Sequence, residues 1–389
     1  MIRTGRSLVA TAALLLTAPL LFAQEPIKFA RSPDISPDGK LVAFSYLGDV
    51  WVVETIGGVA RPVTMHEAHD TNPVFSPDGR WIAFSSNRHG SYDVFVVPTH
   101  GGKPRRLTFD SAADDVNGWS PDGKSVLFTS TRSTAFPRTQ ELYTVPVEGG
   151  RQQRVSRDEG RDGVFSPKGD KIAYVRGPGT WYRKGYRGSS NDDIWVCDAD
   201  GGHNRRLTTF TGEDDSPMWS ADGQSVYYVS EHFGTPANIV RQAADGKSPP
   251  VQVTFHKDDA VRKARVSGPT KDGGQWIVYE CGGDLWVACT KDGVAPRRLA
   301  IEVYADDKSN AEQTRTFTNG ATAYAVSPDE KHAAFVVHGT LCLMPIDGSG
   351  KARRLTTTPS YDHSLAWAPN GQKILFVSDR DGHDDIYAL

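Results

Sequence analysis

Cysteine and methionine are scarce in this sequence, with four residues of each among 389. No two cysteines form a C-x-x-C pair, so the sequence predicts no zinc site. Cys281 and Cys289 flank one predicted strand, and two interpretations stay open for them. In the first, they form a disulfide across a hairpin in an oxidising compartment. In the second, they are small buried apolar side chains, and this interpretation is favoured because a disulfide requires a strict geometry.

The sequence also lacks a charge excess and a nucleophile motif. Its formal net charge is −3, whereas a nucleic-acid-binding surface needs a clustered basic excess, so we expect no nucleic-acid partner. No G-x-S-x-G nucleophile elbow occurs in the chain. We therefore predict no catalytic residue, no metal and no cofactor in this chain.

Long apolar runs are absent except at the N-terminus. Arg3 and Arg6 precede an uncharged apolar run over residues 8–21, and Ala23 ends a small-residue cleavage site. This order predicts a signal peptide over residues 1–23 and export to the periplasm or the cell exterior. The alternative is an uncleaved membrane anchor, although the run is short for a span of about 20 residues. After cleavage we expect no stable membrane insertion.

Glycine and proline are plentiful, at 38 and 24 residues, and they mark an internal repeat. The clearest unit covers residues 73–108. It contains the turn Ser76-Pro77-Asp78-Gly79, apolar strands over residues 81–84 and 93–97, and a closing strand at Arg106-Leu107-Thr108. Pro, Asp and Gly each favour a tight turn, and the runs are rich in β-branched and aromatic residues. Four strands per unit predict one blade of a β-propeller.

The unit begins eight times along the chain. The turns start at Ser36, Ser76, Ser120, Ser166, Ser220, Lys271, Ser327 and Ala368. The closing strand occurs seven times, at residues 62–64, 106–108, 154–156, 206–208, 252–254, 298–300 and 354–356. The repeat predicts an all-β chain of four-stranded blades, the last of which lacks its fourth strand.

Two polar stretches interrupt the repeat and set the predicted domains. The longer one, residues 301–322, predicts a crossover linker, because neighbouring blades connect briefly. We therefore expect a six-bladed β-propeller over residues 24–300, and the first two blades of a second, incomplete β-propeller over residues 323–389. The alternative is one eight-bladed ring, closed by residues 27–31 as the outer strand of the last blade.

The other stretch, residues 177–191, is the candidate loop for binding a peptide or partner. It contains Trp181, Tyr182, Arg183, Tyr186 and Arg187, and aromatic and arginine side chains are enriched at interaction surfaces. The alternative is a loop that folds onto the face of its own propeller.

Two further patterns favour structural roles over chemistry. His66 and His69 are one residue too close for the H-E-x-x-H zinc motif, and they lie in a predicted loop. Acidic pairs recur at blade edges, where they cap turns and favour solubility; the alternative is a charged ring at a channel mouth. The pairs are Asp114-Asp115, Asp192-Asp193, Asp214-Asp215, Asp258-Asp259 and Asp384-Asp385.

Five segments of the chain resemble the N-terminal part of tricorn-type proteases. They are residues 115–119 (DVNGW), residues 181–195 with KGYRG and DIW, residues 215–219 (DSPMW), residues 278–285 (VYECGGDL), and IEV at residues 301–303 with Asp306. The resemblance covers essentially everything after the signal peptide. It implies a six-bladed propeller joined to a seven-bladed one, then a PDZ domain and a serine-protease region.

The resemblance also implies a function and partners. The family's propellers are thought to gate oligopeptides to and from the protease site, in a large homo-oligomer that is typically cytoplasmic. The catalytic serine, histidine and acid of the family would follow Leu389, so none is assigned here. We therefore expect a non-catalytic region that gates or channels oligopeptides to a serine protease site outside this chain. The alternatives are a periplasmic TolB-like protein-binding scaffold, or the propeller half of a prolyl-oligopeptidase-like or amidohydrolase-like enzyme.

Overall fold

The computed structural model describes residues 26–133, 139–156, 158–179, 183–271, 273–291, 294–306 and 316–389. Within these ranges the chain forms strands that pair as successive antiparallel sheets, one for each predicted repeat. Contacts divide the chain into two compact units, which separate between residues 309 and 310. The first six sheets belong to the first unit, and the all-β fold predicted from the repeat is confirmed.

Each blade of the first unit is a meander of four strands. The strands of blades 1 to 3 are Arg31–Ile35, Leu41–Tyr46, Asp49–Glu54 and Gly58–Pro62; Asp70–Phe75, Trp81–His89, Ser91–Pro98 and Arg105–Arg106; and Asp114–Trp119, Ser125–Ser130, Glu141–Pro146 and Gln153–Arg154. The strands of blades 4 to 6 are Arg161–Phe165, Lys171–Arg176, Asp193–Asp198 and Arg205–Arg206; Asp214–Trp219, Ser225–Ser230, Asn238–Ala243 and Val251–Gln252; and Arg262–Val266, Trp276–Cys281, Asp284–Cys289 and Arg297–Arg298.

The second unit contains blades 7 and 8. Their strands are Ala321–Val326, His332–Val337, Thr340–Pro345 and Arg353–Arg354, followed by Asp362–Trp367, Ile374–Ser378 and Asp385–Ala388. The two blades share a small apolar core that includes Phe376 and Leu341. The Trp367 indole nitrogen donates to the Ala325 carbonyl at 3.1 Å, which ties blade 8 to blade 7.

Blade 6 packs against blade 1, so the first unit closes as a ring of six. Phe44 and Trp51 of blade 1 share a buried core with Val287 of blade 6. A further strand, Ile301–Val303, lies at the start of the segment predicted as a linker, and it pairs in parallel with Gly58–Pro62 of blade 1. This clasp strand, as we call it, adds a fifth strand to the first sheet.

The alternative of one eight-bladed ring is wrong. It required residues 27–31 as the outer strand of the last blade. Instead, the Ile27 amide donates to the Ile301 carbonyl at 2.8 Å, and the Phe29 amide donates to the Gly283 carbonyl at 2.7 Å. Both partners belong to the first unit, so residues 27 and 29 pair within the six-bladed ring and not with the last blade. The ring closes by burying blade 1 against blade 6.

The repeated turn forms through the side chains that its sequence suggests. In blade 2, the Ser76 hydroxyl donates to Asp78 at 2.6 Å and accepts from the Trp81 amide at 3.0 Å. Gly79 adopts a φ of 71°, which an L side chain rarely tolerates. In blade 4, Lys168 stands where the aspartate should be, and Ser166 donates instead to Asp170 at 2.7 Å.

Candidate functional site

In the first unit the first strand of each blade lies innermost, and together these six strands surround the ring axis. A cavity of about 300 Å³ lies at the end of these strands and is lined by residues from all six blades. In blades 1 to 5 the residues two positions before the turn are Asp34, Val74, Gly118, Val164 and Met218. In blade 6 the turn serine is replaced by Ser267, which accepts from the Trp276 amide as Ser76 accepts from that of Trp81, and Arg265 stands two positions before it. We call the space around the axis the lumen. Its mouth is therefore mostly apolar, with one acid and one base.

A bulge in each inner strand controls which side chains enter the lumen. In blades 1, 2, 4, 5 and 6 the bulge residue has a φ between 47° and 52° and stands four positions before the turn serine, whose place in blade 6 is taken by Ser267. These residues are Ser32, Asn72, Asp162, Ser216 and Lys263. A bulge adds one residue opposite its partner strand and redirects the local side chains. The repeated bulge therefore places a ring of mostly polar residues around the axis.

An ion pair crosses this ring. Lys263 Nζ of blade 6 lies 3.7 Å from Asp162 Oδ1 of blade 4. Blade 5 separates these two blades in the ring, so the pair spans part of the lumen. Neither residue was identified from the sequence, because the predicted blade 6 turn starts at Lys271, whereas in the structure Ser267, four positions after Lys263, takes the place of the turn serine.

Arg161 supports the acid of this pair. Its Nη1 lies 2.7 Å from Asp162 and 3.6 Å from Asp215, and its Nη2 contacts Asp192. The Arg161 side chain is only 19% exposed. A buried guanidinium needs several acceptors, and Arg161 has three carboxylates from blades 4 and 5. It therefore joins the root of the loop over residues 177–191 to the lumen.

The lumen electrostatics follow from burial and from these pairs. Burial alone would raise the pKa of Asp162, but Lys263 and Arg161 outweigh it and hold that pKa well below its usual range. Asp162 in turn raises the pKa of Lys263. Burial raises the pKa of Asp192 to about 7 despite Arg161, and burial raises that of Asp115 to about 6. Asp162 and Lys263 are therefore fully charged near neutral pH.

The candidate binding loop contacts blade 5 through its described residues, while Trp181 and Tyr182 lie outside the part of the chain that the structure describes. Arg187 Nη1 lies 3.1 Å from Glu231, and Glu231 also accepts from the Gly185 amide at 2.9 Å. The Arg187 guanidinium stacks 4.5 Å above the Phe210 ring centroid.

Arg183 contacts both blade 5 and the loop itself. Its Nη2 donates to the Ser190 carbonyl at 2.6 Å and lies 3.4 Å from Glu213. Its guanidinium stacks 4.1 Å above the Tyr186 ring. These contacts anchor the loop to its own propeller. Whether the loop also binds a peptide stays a prediction.

The histidines considered for metal binding are engaged elsewhere. The His66 Nδ1 atom accepts from the Ala68 amide at 2.9 Å, and the His69 Nδ1 atom lies 2.9 Å from the Tyr92 hydroxyl. The neighbouring Asp70 binds Arg88. In the described ranges, no group of three or more His, Cys, Asp and Glu side chains is arranged to hold a metal ion.

The disulfide considered for Cys281 and Cys289 is wrong. Both thiols are free. Cys281 pairs with Asp284 beside the hairpin turn, whereas Cys289 pairs with Trp276 at the far end. Five residue steps separate the two pairs along the strands, which amounts to roughly 16 Å. A disulfide requires Cα atoms within about 7 Å.

Two of the acidic pairs, on the inner strands of blades 3 and 5, divide between the blade interior and the axis. Asp114 is fully buried against Arg132, while the adjacent Asp115 lies beside the lumen charges. Asp214 is likewise fully buried, and Asp215 lies near Arg161. Successive side chains of a strand point to opposite faces, so in these two pairs one member serves the blade core and the other lies toward the lumen.

The closed ring of four-stranded blades around an axial lumen defines a six-bladed β-propeller. The chain belongs to the family of tricorn protease N-terminal β-propeller domains, whose family model matches residues 27–294. This membership confirms the resemblance that the sequence motifs suggested.

Relatives and a solved structure agree with this family. The chain is 30% identical over 361 residues to Tricorn protease homolog 1 of Streptomyces coelicolor, covering 90% of this chain and 32% of the relative. It is 29% identical over 372 residues to the tricorn protease homolog of Saccharolobus solfataricus, with 91% and 32% coverage. The crystal structure of the tricorn protease matches its fold with a TM-score of 0.62 at 18% identity, covering 93% of this chain and 39% of that one. The chain spans about a third of the length of these curated relatives.

Among the described residues, no helix is long and apolar enough to span a bilayer.

Proposed function

We propose that this chain is the region of a tricorn-like serine protease through which oligopeptides pass, to or from a protease site that lies outside the chain. The observation that carries the proposal is the closed six-bladed ring with a lumen bordered by all six inner strands. Family membership supports a role beside a protease. The function itself is our inference.

The size and lining of the lumen suit an extended peptide. The cavity at its mouth, about 300 Å³, is at the lower end of the range for small-molecule pockets. A folded domain is far too large to enter such a space, while an extended chain enters one side chain at a time. Val74, Val164 and Met218 offer apolar contacts without a fixed sequence preference.

Blocking the lumen tests this passage in the polypeptide that joins this region to its protease. Ser32→Cys places a thiol at the lumen bulge, and a bulky maleimide would fill the space around it. We expect the labelled protein to hydrolyse oligopeptides several-fold more slowly. Lys103→Cys, at an exposed position of blade 2, is the matched control and should keep its rate after labelling. Equal rates for both labelled proteins would contradict the passage.

We further propose that the partner of this region is the rest of the same polypeptide, with a PDZ domain and a serine-protease region, in an exported homo-oligomer. The support is the coverage of about a third of each relative and the predicted signal peptide. Sequencing the gene beyond the Leu389 codon tests the domain order. Further blades, a PDZ domain and a serine protease region are expected, and a stop codon or an α/β-hydrolase domain would contradict the proposal. Cell fractionation tests export.

A further inference from the structure

The ion pair across the lumen has unequal ends. The Lys263 side chain is 48% exposed, whereas Asp162 is 20% exposed. The exposed portion of Lys263 faces the lumen, because its bulge lies on the innermost strand of blade 6. A lysine has a long flexible stem and a compact charge. Lys263 is therefore the member of the pair that can move with little rearrangement.

Asp162 does not depend on Lys263 for a cation. Arg161 Nη1 stays 2.7 Å from Asp162 Oδ2, and Arg161 is itself held by Asp192 and Asp215. If Lys263 turns away, Asp162 keeps a charged hydrogen-bond donor. Removing one member of a buried pair normally leaves a costly bare charge, and here Arg161 prevents that cost.

We propose that Lys263 is a specificity-determining residue of the lumen, which moves from Asp162 to a carboxylate of the passing peptide and so favours acidic peptides over basic ones. This inference rests on the proposed passage of peptides through the lumen. The exchange needs no net desolvation of the lysine, since one carboxylate replaces another. An entering lysine or arginine gains less, because Asp162 is already paired with both Lys263 and Arg161.

The other lumen cations are already engaged by carboxylates. Asp34 lies near Arg265, and Asp215 lies 3.6 Å from Arg161. Asp115 and Asp192 are the remaining acids, and burial raises their pKa values to about 6 and about 7, so both lose part of their charge below neutral pH. Arg161 is held by three carboxylates and Arg265 lies near Asp34, so Lys263 is the lumen cation best placed to exchange partners.

Thiol labelling of the chain itself measures this preference without any protease. Ser32→Cys is treated with methanethiosulfonates of equal size that are anionic, neutral or cationic. The rate at which each reagent labels the cysteines of the parent chain is subtracted from the rate for the variant. We expect the anionic-to-cationic rate ratio to fall about tenfold in Lys263→Met, the change expected for one charge at close range. Lys263→Arg should retain most of the ratio. Lys103→Met, which removes the same charge far from the axis, should retain all of it.

The outcomes separate this inference from the passage it rests on. In one outcome, all three reagents label Ser32→Cys, and Lys263→Met leaves the anionic-to-cationic rate ratio as unchanged as the Lys103→Met control does. That outcome overturns the role of Lys263 while the passage stands. If no reagent reacts faster than in the parent chain, with Asn72→Cys giving the same result from blade 2, the passage and this inference both fail. Circular dichroism of each variant shows whether the propeller remains folded.

Discussion

Arg88 binds both carboxylate oxygens of Asp70, with Nη2 at 2.9 Å from Oδ1 and 2.8 Å from Oδ2. Asp70 is fully buried and Arg88 is 11% exposed. The pair fastens the start of the inner strand of blade 2 to the end of the second strand. Asp114 with Arg132, and Asp362 with Arg380, repeat it in blades 3 and 8.

Arg88→Met should destabilise the first unit by about 3–5 kcal/mol, because it leaves the Asp70 carboxylate buried without its cation. Chemical denaturation monitored by tryptophan fluorescence measures the change. Arg80→Met is the control, since Arg80 pairs with Asp78 at the surface and is 80% exposed; its loss should cost less than about 1 kcal/mol. Equal losses would show that burial does not decide the strength of these pairs.

Blade 5 lacks this pair, which predicts a pH dependence. Asp214 occupies the position of Asp70, but His232 replaces the arginine, and burial raises the pKa of Asp214 to about 7. The folded-state pKa lies above the unfolded value of about 4, so the folded state retains the proton longer. Stability should therefore be greatest below pH 4 for this group and should fall as pH rises from about 4 to 7.

Asp214→Asn should remove that dependence and stabilise the chain at pH 8 by about 1–4 kcal/mol, the range that a shift of this size permits. Denaturation at pH 5 and pH 8 measures it. Asp78→Asn is the opposite control: the Ser76 hydrogen bond lowers the Asp78 pKa to about 2, so its effect should vanish only below pH 4. An unchanged pH profile in Asp214→Asn would contradict the assignment.

The turn of blade 4 predicts a compensating pair of substitutions. Asp170→Asn should lower the thermal midpoint by about 1–3 °C, because Asp170 accepts from Ser166 in place of the usual turn aspartate. Adding Lys168→Asp should restore the midpoint, since it recreates the sequence of the other blades. If the double variant melts as low as Asp170→Asn alone, the two aspartates are not equivalent.

The clasp strand predicts that a substitution at Ile301, far from blade 1 in the sequence, lowers the stability of the ring. Ile301 is 2% exposed within the core between blades 1 and 6, so Ile301→Asp should cost about 3–5 kcal/mol by burying a charge without a partner. Ile56→Asp is the matched control, because Ile56 is 77% exposed and should change stability little. Equal behaviour of the two variants would argue against ring closure by the clasp strand.

The contacts of the loop over residues 177–191 predict that its variants change folding stability and oligopeptide affinity independently. Arg187→Ala should destabilise the chain by about 1–2 kcal/mol, because buried Glu231 loses a charged partner while keeping the Gly185 amide. Lys184→Ala, at an exposed position, is the control and should be neutral. Fluorescence anisotropy with labelled oligopeptides measures binding in parallel. If only Arg187→Ala loses stability and neither variant changes peptide affinity, the loop is an anchor and not a binding surface.

The sequence by itself determined the blades, since each depends on local chemistry. The turn at Ser76 to Gly79 and the apolar strands after it are dictated by residues that contact one another within a few positions. The same local chemistry predicts an acid that accepts from Ser166. Lys168 occupies the usual position of that acid, and Asp170 takes over its role two residues later. Family membership was also readable from the motifs, because they are short contiguous segments.

Only the tertiary structure decided the ring and the site. Closure depends on Ile301 meeting Gly58 across more than two hundred residues, and sequence spacing carries no signal for such a distant pairing. Asp162 and Lys263 are likewise unremarkable charges in the sequence. They become a pair across the lumen because six bulged strands converge on one axis, which brings side chains of non-adjacent blades within ion-pair distance.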